Sequence, residues 1–213
     1  MANVEVFRNN LLRAGVVDPE GVHHEFVSLV HGQKIDFDAI PEGSDLLAEW
    51  EDVVAETVDN QFPTKKYPRG IVLLGIANGT NRLVAPVANK AGERFTPAHT
   101  KKVGSKIVEL TDEAKRTIRE LNPSLILGCE DVGTTGFTSA TAVMSARSLV
   151  QSLRMDTEIR IINTWQRSEL LPELRALQVP YSSIIFEPMP AYEPETCRES
   201  GFCADGWELV LHG

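Results

Sequence analysis

Leu125 to Ser139 reads LILGCEDVGTTGFTS, and the order of residue types in it decides the fold. The apolar run Leu125-Ile126-Leu127 predicts a strand buried in a sheet. Two adjacent carboxylates, Glu130 and Asp131, follow it, and then a loop of small residues, Gly133-Thr134-Thr135-Gly136. Thr138 and Ser139 open a mostly apolar stretch that continues as a helix to about Leu153. Strand, acidic pair, small-residue loop and helix together suit a phosphorylated sugar. Glycines let the backbone approach a phosphate, and the free N–H groups of a helix start point at it. Carboxylates at the carboxyl end of a parallel strand lie where such sheets bind ligands. There they can accept hydrogen bonds from sugar hydroxyls or meet a metal ion.

A second unit of the same kind lies upstream. Ile71 to Ala77, IVLLGIA, is a continuous apolar run with turn residues on either side, the pattern of a strand covered on both faces. Asn78-Gly79-Thr80-Asn81 follows as a polar loop, and then a helix is expected over Leu83 to Lys90 with Pro86 in its first turn. Val4 to Ala14 has the spacing of a short amphipathic helix, and Ser44 is a fitting N-cap for a helix running to about Asp59. Gly21 to Ile40 reads as short strands about a turn at His31-Gly32-Gln33. Arg94 to Ala98 reads as another strand, and Ala98 to Ala114 is polar and poorly periodic until a helix starts at Thr111-Asp112-Glu113. Thr157 to Asn163 and Ser182 to Glu187 read as further strands, separated by a short helix over Leu170 to Leu177. The chain is thus expected to be one α/β domain. Residues 1–69 form a hood, 70–190 the core and 191–213 a tail with a short strand or turn packed back on it.

Composition sets limits. The chain has 213 residues, 42% hydrophobic and 24% charged, as soluble globular domains have. No apolar run approaches the roughly 20 residues that cross a bilayer, and the N-terminus lacks the pattern of a signal peptide. A cytoplasmic location without a membrane partner is the expectation. A net charge of −9 disfavours nucleic acid as a partner and requires local cations, helix N-termini or a metal wherever a polyanion binds. There are three cysteines. Cys129 ends the central strand as a small hydrophobe. Cys197 and Cys203 are compatible with metal binding, but a zinc site takes four ligands and no second cysteine pair exists, so two free thiols in a loop are expected.

Glu130-Asp131-Val132-Gly133-Thr134-Thr135-Gly136-Phe137-Thr138, with Ser139 after it, resembles the ribose-phosphate motif of type I phosphoribosyltransferases, in the variant of the orotate enzymes. The resemblance implies a parallel sheet flanked by helices, and a reaction with phosphoribosyl pyrophosphate (PRPP), its Mg²⁺ carried by the substrate, in which a nucleobase, foremost orotate, displaces pyrophosphate. It places Gly133, Thr134, Thr135, Gly136, Phe137, Thr138 and Ser139 at the 5-phosphate, and Glu130 and Asp131 at the ribose as catalytic residues. Asn78, Gly79, Thr80 and Asn81 fall at the pyrophosphate. Phe26, Gly32, Lys34 and Phe37 echo an N-terminal segment whose lysine reaches the ligand. Arg167, before Ser168-Glu169, stands where the orotate enzymes hold the carboxylate of the base.

One departure is large. The family carries an Arg-Lys pair on a mobile loop that closes over the site, and the aligned residues here are Pro97-Ala98, with Val103 replacing a histidine. Lys101 and Lys102, with Lys106 nearby, are the cations left to neutralise pyrophosphate. Two readings follow: a phosphoribosyltransferase, for orotate or another base, or a binding protein of the same fold that senses PRPP or nucleotides. The family's loop often serves the neighbouring subunit, so a homodimer is also implied.

Overall fold

The computed structural model describes residues 3–25, 31–169 and 171–211. The chain opens with α1 (Val4–Arg13), capped by the Asn3 side chain, which accepts from the amides of Glu5 and Val6. The helix buries Phe7 and Leu11. Short strands β1 (Val22–Glu25) and β2 (His31–Gly32) follow, then α2 (Asp45–Gln61), started by Ser44 Oγ, which accepts from Leu47 N at 3.2 Å. The core begins at β3 (Ile71–Gly75), with all five residues buried, and passes directly into α3 (Ala77–Ala91). Next come β4 (Phe95–Lys102), β5 (Val108–Leu110) and α4 (Asp112–Leu121), which ends in a left-handed Asn122 before Pro123. The opening motif forms β6 (Leu125–Gly133) and α5 (Phe137–Ser152). After it run β7 (Glu158–Gln166), α6 (Pro172–Ala176), β8 (Tyr181–Phe186), β9 (Ala191–Tyr192), α7 (Pro194–Ser200) and β10 (Glu208–Leu211).

Six strands form the main sheet in the order β5-β4-β3-β6-β7-β8, parallel except for β5. Alternation along each strand divides the core. Ile71, Leu73, Leu125 and Leu127 pack on one face with Trp50 and Val53 of α2 and Leu83 and Val87 of α3. Val72, Leu74 and Ile126 pack on the other with Ile118 of α4 and Ala146 and Val150 of α5. Both faces are covered, which is why these strands read as unbroken apolar runs. From β3 the chain winds outward to β4 in one direction, and from β6 to β7 and β8 in the other. The carboxyl ends of β3 and β6 therefore flank the topological switch point, the crevice where open parallel sheets bind ligands.

Four expectations need correction. Asn78 to Asn81 is no loop. It lies in the first turns of α3, and Pro86 sits in the helix interior. The hydroxyl of Thr80 takes over the work of a cap, accepting from Ile76 N at 2.9 Å while lying within 2.9 Å of Ile76 O and 2.8 Å of Cys129 O. Second, the polar stretch after Ala98 is a β-hairpin, with Thr100 facing Leu110 and Lys102 facing Val108. Pro97 and Ala98 lie in a strand, as the reading of Arg94 to Ala98 has it, beside Leu73 and Leu74. Proline is tolerated there because β5 pairs only with Thr100–Lys102, leaving the outer flank of β4 open before them. Third, β7 runs three residues past Asn163, to Gln166. Fourth, the tail is part of the hood: β10 pairs with β1 and β9 with β2, giving a four-stranded sheet β10-β1-β2-β9 built from both ends of the chain. Phe26 lies outside the described residues. No helix among the described residues is long and apolar enough to cross a membrane.

Candidate active site

The loop between β6 and α5 is short, Thr134 to Gly136. Gly136, at φ 77°, takes the left-handed conformation that glycine adopts without penalty, and α5 starts on the next residue. Thr135 Oγ1 accepts from Phe137 N at 3.3 Å, while Thr134 and Thr135 stay exposed. α5 thus starts at the carboxyl end of β6, and a helix leaves its first N–H groups without intrahelical partners. Ser139 points the other way. It is fully buried, and its hydroxyl donates to Glu130 Oε2 at 2.5 Å.

Burial gives the two carboxylates different characters. Glu130 is 8% exposed, and desolvation pushes its pKa up to about 8 despite the Ser139 hydrogen bond, so at neutral pH it carries a proton. Asp131 is also raised by burial, opposed by the amide of Val132, which donates to its Oδ1 at 2.8 Å. The negative charges of Asp38 and Asp36 raise it further. Asp131 lies against the start of α3: a Cβ on Gly79 would stand 2.3 Å from Asp131 Oδ2 and 3.1 Å from Asp38 Oδ1. The missing side chain of Gly79 thus makes room for two carboxylates at a helix N-terminus. Arg82 of α3 fixes the hood segment that carries Asp38, donating to Phe37 O at 2.7 Å and Ile40 O at 2.9 Å.

Among the described residues expected at pyrophosphate, Gly79 borders this crevice through its backbone. Thr80 is buried and ties β3 to β6, and Asn81 donates to Thr100 O at 2.9 Å, tying α3 to β4. The side chain of Asn78 lies outside the described residues. Lys101 and Lys102 are exposed on the hairpin, opposite Glu109 and Val108.

Lys34, through its backbone amide, and Arg167, through its charge, both interact with Asp18. The Asp18 carboxylate accepts from the amide of Lys34 and lies 3.0 Å from His24 Nε2. Its charge also acts on Arg167, a residue 7% exposed whose pKa burial pulls down. Lys34 Nζ donates to Asp36 Oδ2 at 2.6 Å, so this lysine is joined to the acid group around Asp131. The backbone of Arg167 donates to Gly133 O at 3.1 Å, placing it beside the end of β6. Asp18, Asp36 and Asp38 were missed in the sequence. Their only mark was a density of acids in the hood, in a chain already rich in them.

No protein-family model matches the chain, and neither does any curated protein sequence. Solved structures do. An orotate phosphoribosyltransferase from Aeropyrum pernix superposes with a TM-score of 0.58 at 17% identity, over 90% of this chain and 95% of that one. The fold is that of the type I phosphoribosyltransferases. An orotate phosphoribosyltransferase from Francisella tularensis matches with a TM-score of 0.55 at 13% identity, over 85% of each chain. An adenine phosphoribosyltransferase from Saccharomyces cerevisiae, solved with adenine and an imino-altritol bisphosphate, gives a TM-score of 0.55 at 16% identity, over 85% of this chain and 99% of that one. Pyrimidine and purine enzymes thus match this fold about equally well.

Proposed function

We propose that the protein transfers ribose 5-phosphate from PRPP to a nucleobase, with release of pyrophosphate. The observation that carries this reading is the placement of Asp131 against Gly79 at the switch point, one loop away from Thr134–Gly136 and the start of α5. In this reading the helix start and the loop hydroxyls hold the 5-phosphate, and Asp131 accepts from the ribose hydroxyls. Glu130, protonated and held by Ser139, shapes the floor beneath the sugar. The bond from the anomeric carbon to pyrophosphate breaks, the electron pair leaves with pyrophosphate, and a ring nitrogen of the base bonds to that carbon. Lys101 and Lys102 approach the departing charge from the hairpin.

The residues present fit Mg²⁺. Asp131 and Asp38 offer hard oxygen donors over Gly79 and repel one another, and magnesium binds by one or two carboxylates with substrate phosphates and water. When bound with PRPP, it supplies charge neutralisation for pyrophosphate.

The acceptor we propose is orotate. Arg167 and Lys34 are two cations suited to an anionic base, and an orotate enzyme is among the matching folds. Each faces a carboxylate here, Asp36 for Lys34 and Asp18 for Arg167, and an anionic base has to compete with these. We also infer a homodimer. Exposed Val103 and Ile107 on the hairpin, with Phe137 and Met144 on α5, offer apolar surface for a second copy.

The deciding experiment mixes protein, Mg²⁺ and PRPP with orotate, uracil, adenine and hypoxanthine and follows pyrophosphate release. Release with orotate supports the full reading, and release with a purine alone moves Arg167 out of base recognition. PRPP binding without release from any base leaves a binding protein of the same fold, a reading favoured by the absence of the Arg-Lys pair.

A further inference from the structure

Cys197, Cys203 and His23 meet in the hood, far apart in sequence and close in space. Cys197 Sγ lies 3.1 Å from Cys203 Sγ and 3.8 Å from His23 Nε2, and Cys203 Sγ lies 3.3 Å from His23 Nε2. Among the described residues no other group of three histidine, cysteine or acidic side chains converges in this way. His23 comes from β1, Cys197 from the last turn of α7, and Cys203 from the turn after it. His23 and Cys197 are fully buried.

We propose that these three side chains bind one zinc ion, which staples the C-terminal tail to the N-terminal strand of the hood. The distances support it directly. A point just off the plane of the three atoms stands about 2.0 to 2.3 Å from each, the range of Zn–N and Zn–S bonds. Ligand softness agrees. Two thiolates and an imidazole select zinc over magnesium or calcium, and two thiolates balance its charge inside a buried site.

The surroundings are built for thiolate ligands. The amide of Cys203 donates to Cys197 Sγ at 3.2 Å, the kind of outer hydrogen bond that orients a metal ligand. That bond needs the chain to double back at Gly201, where a Cβ would stand 2.8 Å from the Tyr192 ring and 2.9 Å from Cys197 Cα. Phe202 closes one side, its ring 5.5 Å from His23, 5.2 Å from Tyr192 and 4.5 Å from Trp207. Structural zinc sites take four ligands, so one further donor, water or a side chain, completes the coordination. The consequence reaches the candidate active site. β1 carries His23 and also His24, which pairs with Asp18, so the staple steadies the strand leading to Lys34 and Arg167. This site stands on its own residues and does not depend on the transfer reaction.

The test is metal analysis of the full chain, purified under reducing conditions without chelator. One zinc per chain is expected, with the content falling at least about tenfold in Cys197→Ser and Cys203→Ser. Should these variants fail to fold, cobalt replaces zinc in the unaltered protein. Near-ultraviolet thiolate-to-cobalt charge transfer, with intense visible bands of tetrahedral cobalt, is expected. Removal of zinc by a strong chelator should lower the melting temperature and release the Cys197 and Cys203 thiols. A metal-free protein that gives no thiolate–cobalt band overturns the proposal. So does a Cys197–Cys203 disulfide in protein purified without added oxidant.

Discussion

Gly79 and Asp131 share one space: a Cβ on the glycine would lie 2.3 Å from the carboxylate oxygen Oδ2. No side-chain rearrangement at position 79 avoids that contact, because Cβ is fixed by the backbone. Gly79→Ala therefore sets two effects against each other. Alanine favours the helix by about 1 kcal/mol, and the clash drives Asp131 away from the start of α3. We expect the variant to stay folded and to bind PRPP at least about tenfold more weakly, as loss of a charged hydrogen-bond partner would do. Calorimetric titration with PRPP and Mg²⁺ checks this. Unchanged affinity would mean that Asp131 is not at the sugar.

Glu130 makes stability depend on pH. Its pKa is near 8 in the fold and about 4.5 in an unfolded chain. Between these values the folded state holds a proton that the unfolded state has lost. Stability therefore falls as pH rises through the window, by up to roughly 1.4 kcal/mol per pH unit. Asp131, also raised, acts in the same direction. Glu130→Gln removes the Glu130 contribution while retaining a partner for Ser139. Its melting temperature should decline less from pH 4.5 to 8 than that of the parent, and exceed it at the alkaline end. Parallel melting curves for the two proteins would show that Glu130 is not the group responsible.

Much of this was legible because it is local. LILGCEDVGTTGFTS states its own strand, turn and helix, and IVLLGIA needs no distant information to be read as a covered strand. Asn78 to Asn81 misled because small polar residues favour turns in isolation. Here the hydroxyl of Thr80, bonded across to Cys129 O on another strand, lets the helix begin at once. Short strands were legible in the hood, but their partners were not, for a different reason. Its strands are two to four residues long, and β1 pairs Val22 with Glu208, at the opposite end of the chain. No periodicity encodes such a pairing. The same distance hid the cluster of His23 with Cys197 and Cys203, so counting cysteine pairs argued against a metal. Asp36 and Asp38 gained meaning only when Arg82 was seen to bind their segment to α3.

Lys101 and Lys102 offer a test in which stability and function separate. Both are exposed on the hairpin, and neither supports the core. Replacing both with alanine should change stability by less than about 0.5 kcal/mol. Single-turnover pyrophosphate release should slow by roughly a hundredfold, the scale on which one preorganised charge donor acts. An unaltered rate would assign the leaving-group charge to other residues and leave the hairpin without a chemical part.

The adjacent acids can be told apart by pH. At neutral pH Glu130 is protonated, so its amide replacement resembles it, whereas Asp131→Asn replaces one of the carboxylate oxygens proposed to accept from the ribose with an amide donor. Asp131→Asn should weaken PRPP binding by about ten- to a hundredfold, the range of hydrogen bonds to a charged group. Glu130→Gln should weaken it by less than about threefold below pH 7, since amide and protonated carboxyl present similar groups. Above pH 8 the parent Glu130 ionises and the amide does not follow it, so the two proteins should then diverge. Affinities measured by titration on both sides of that value decide the matter. Equal losses from the two substitutions at neutral pH would mean that Glu130 is charged beside the ligand, and would place both acids at the sugar.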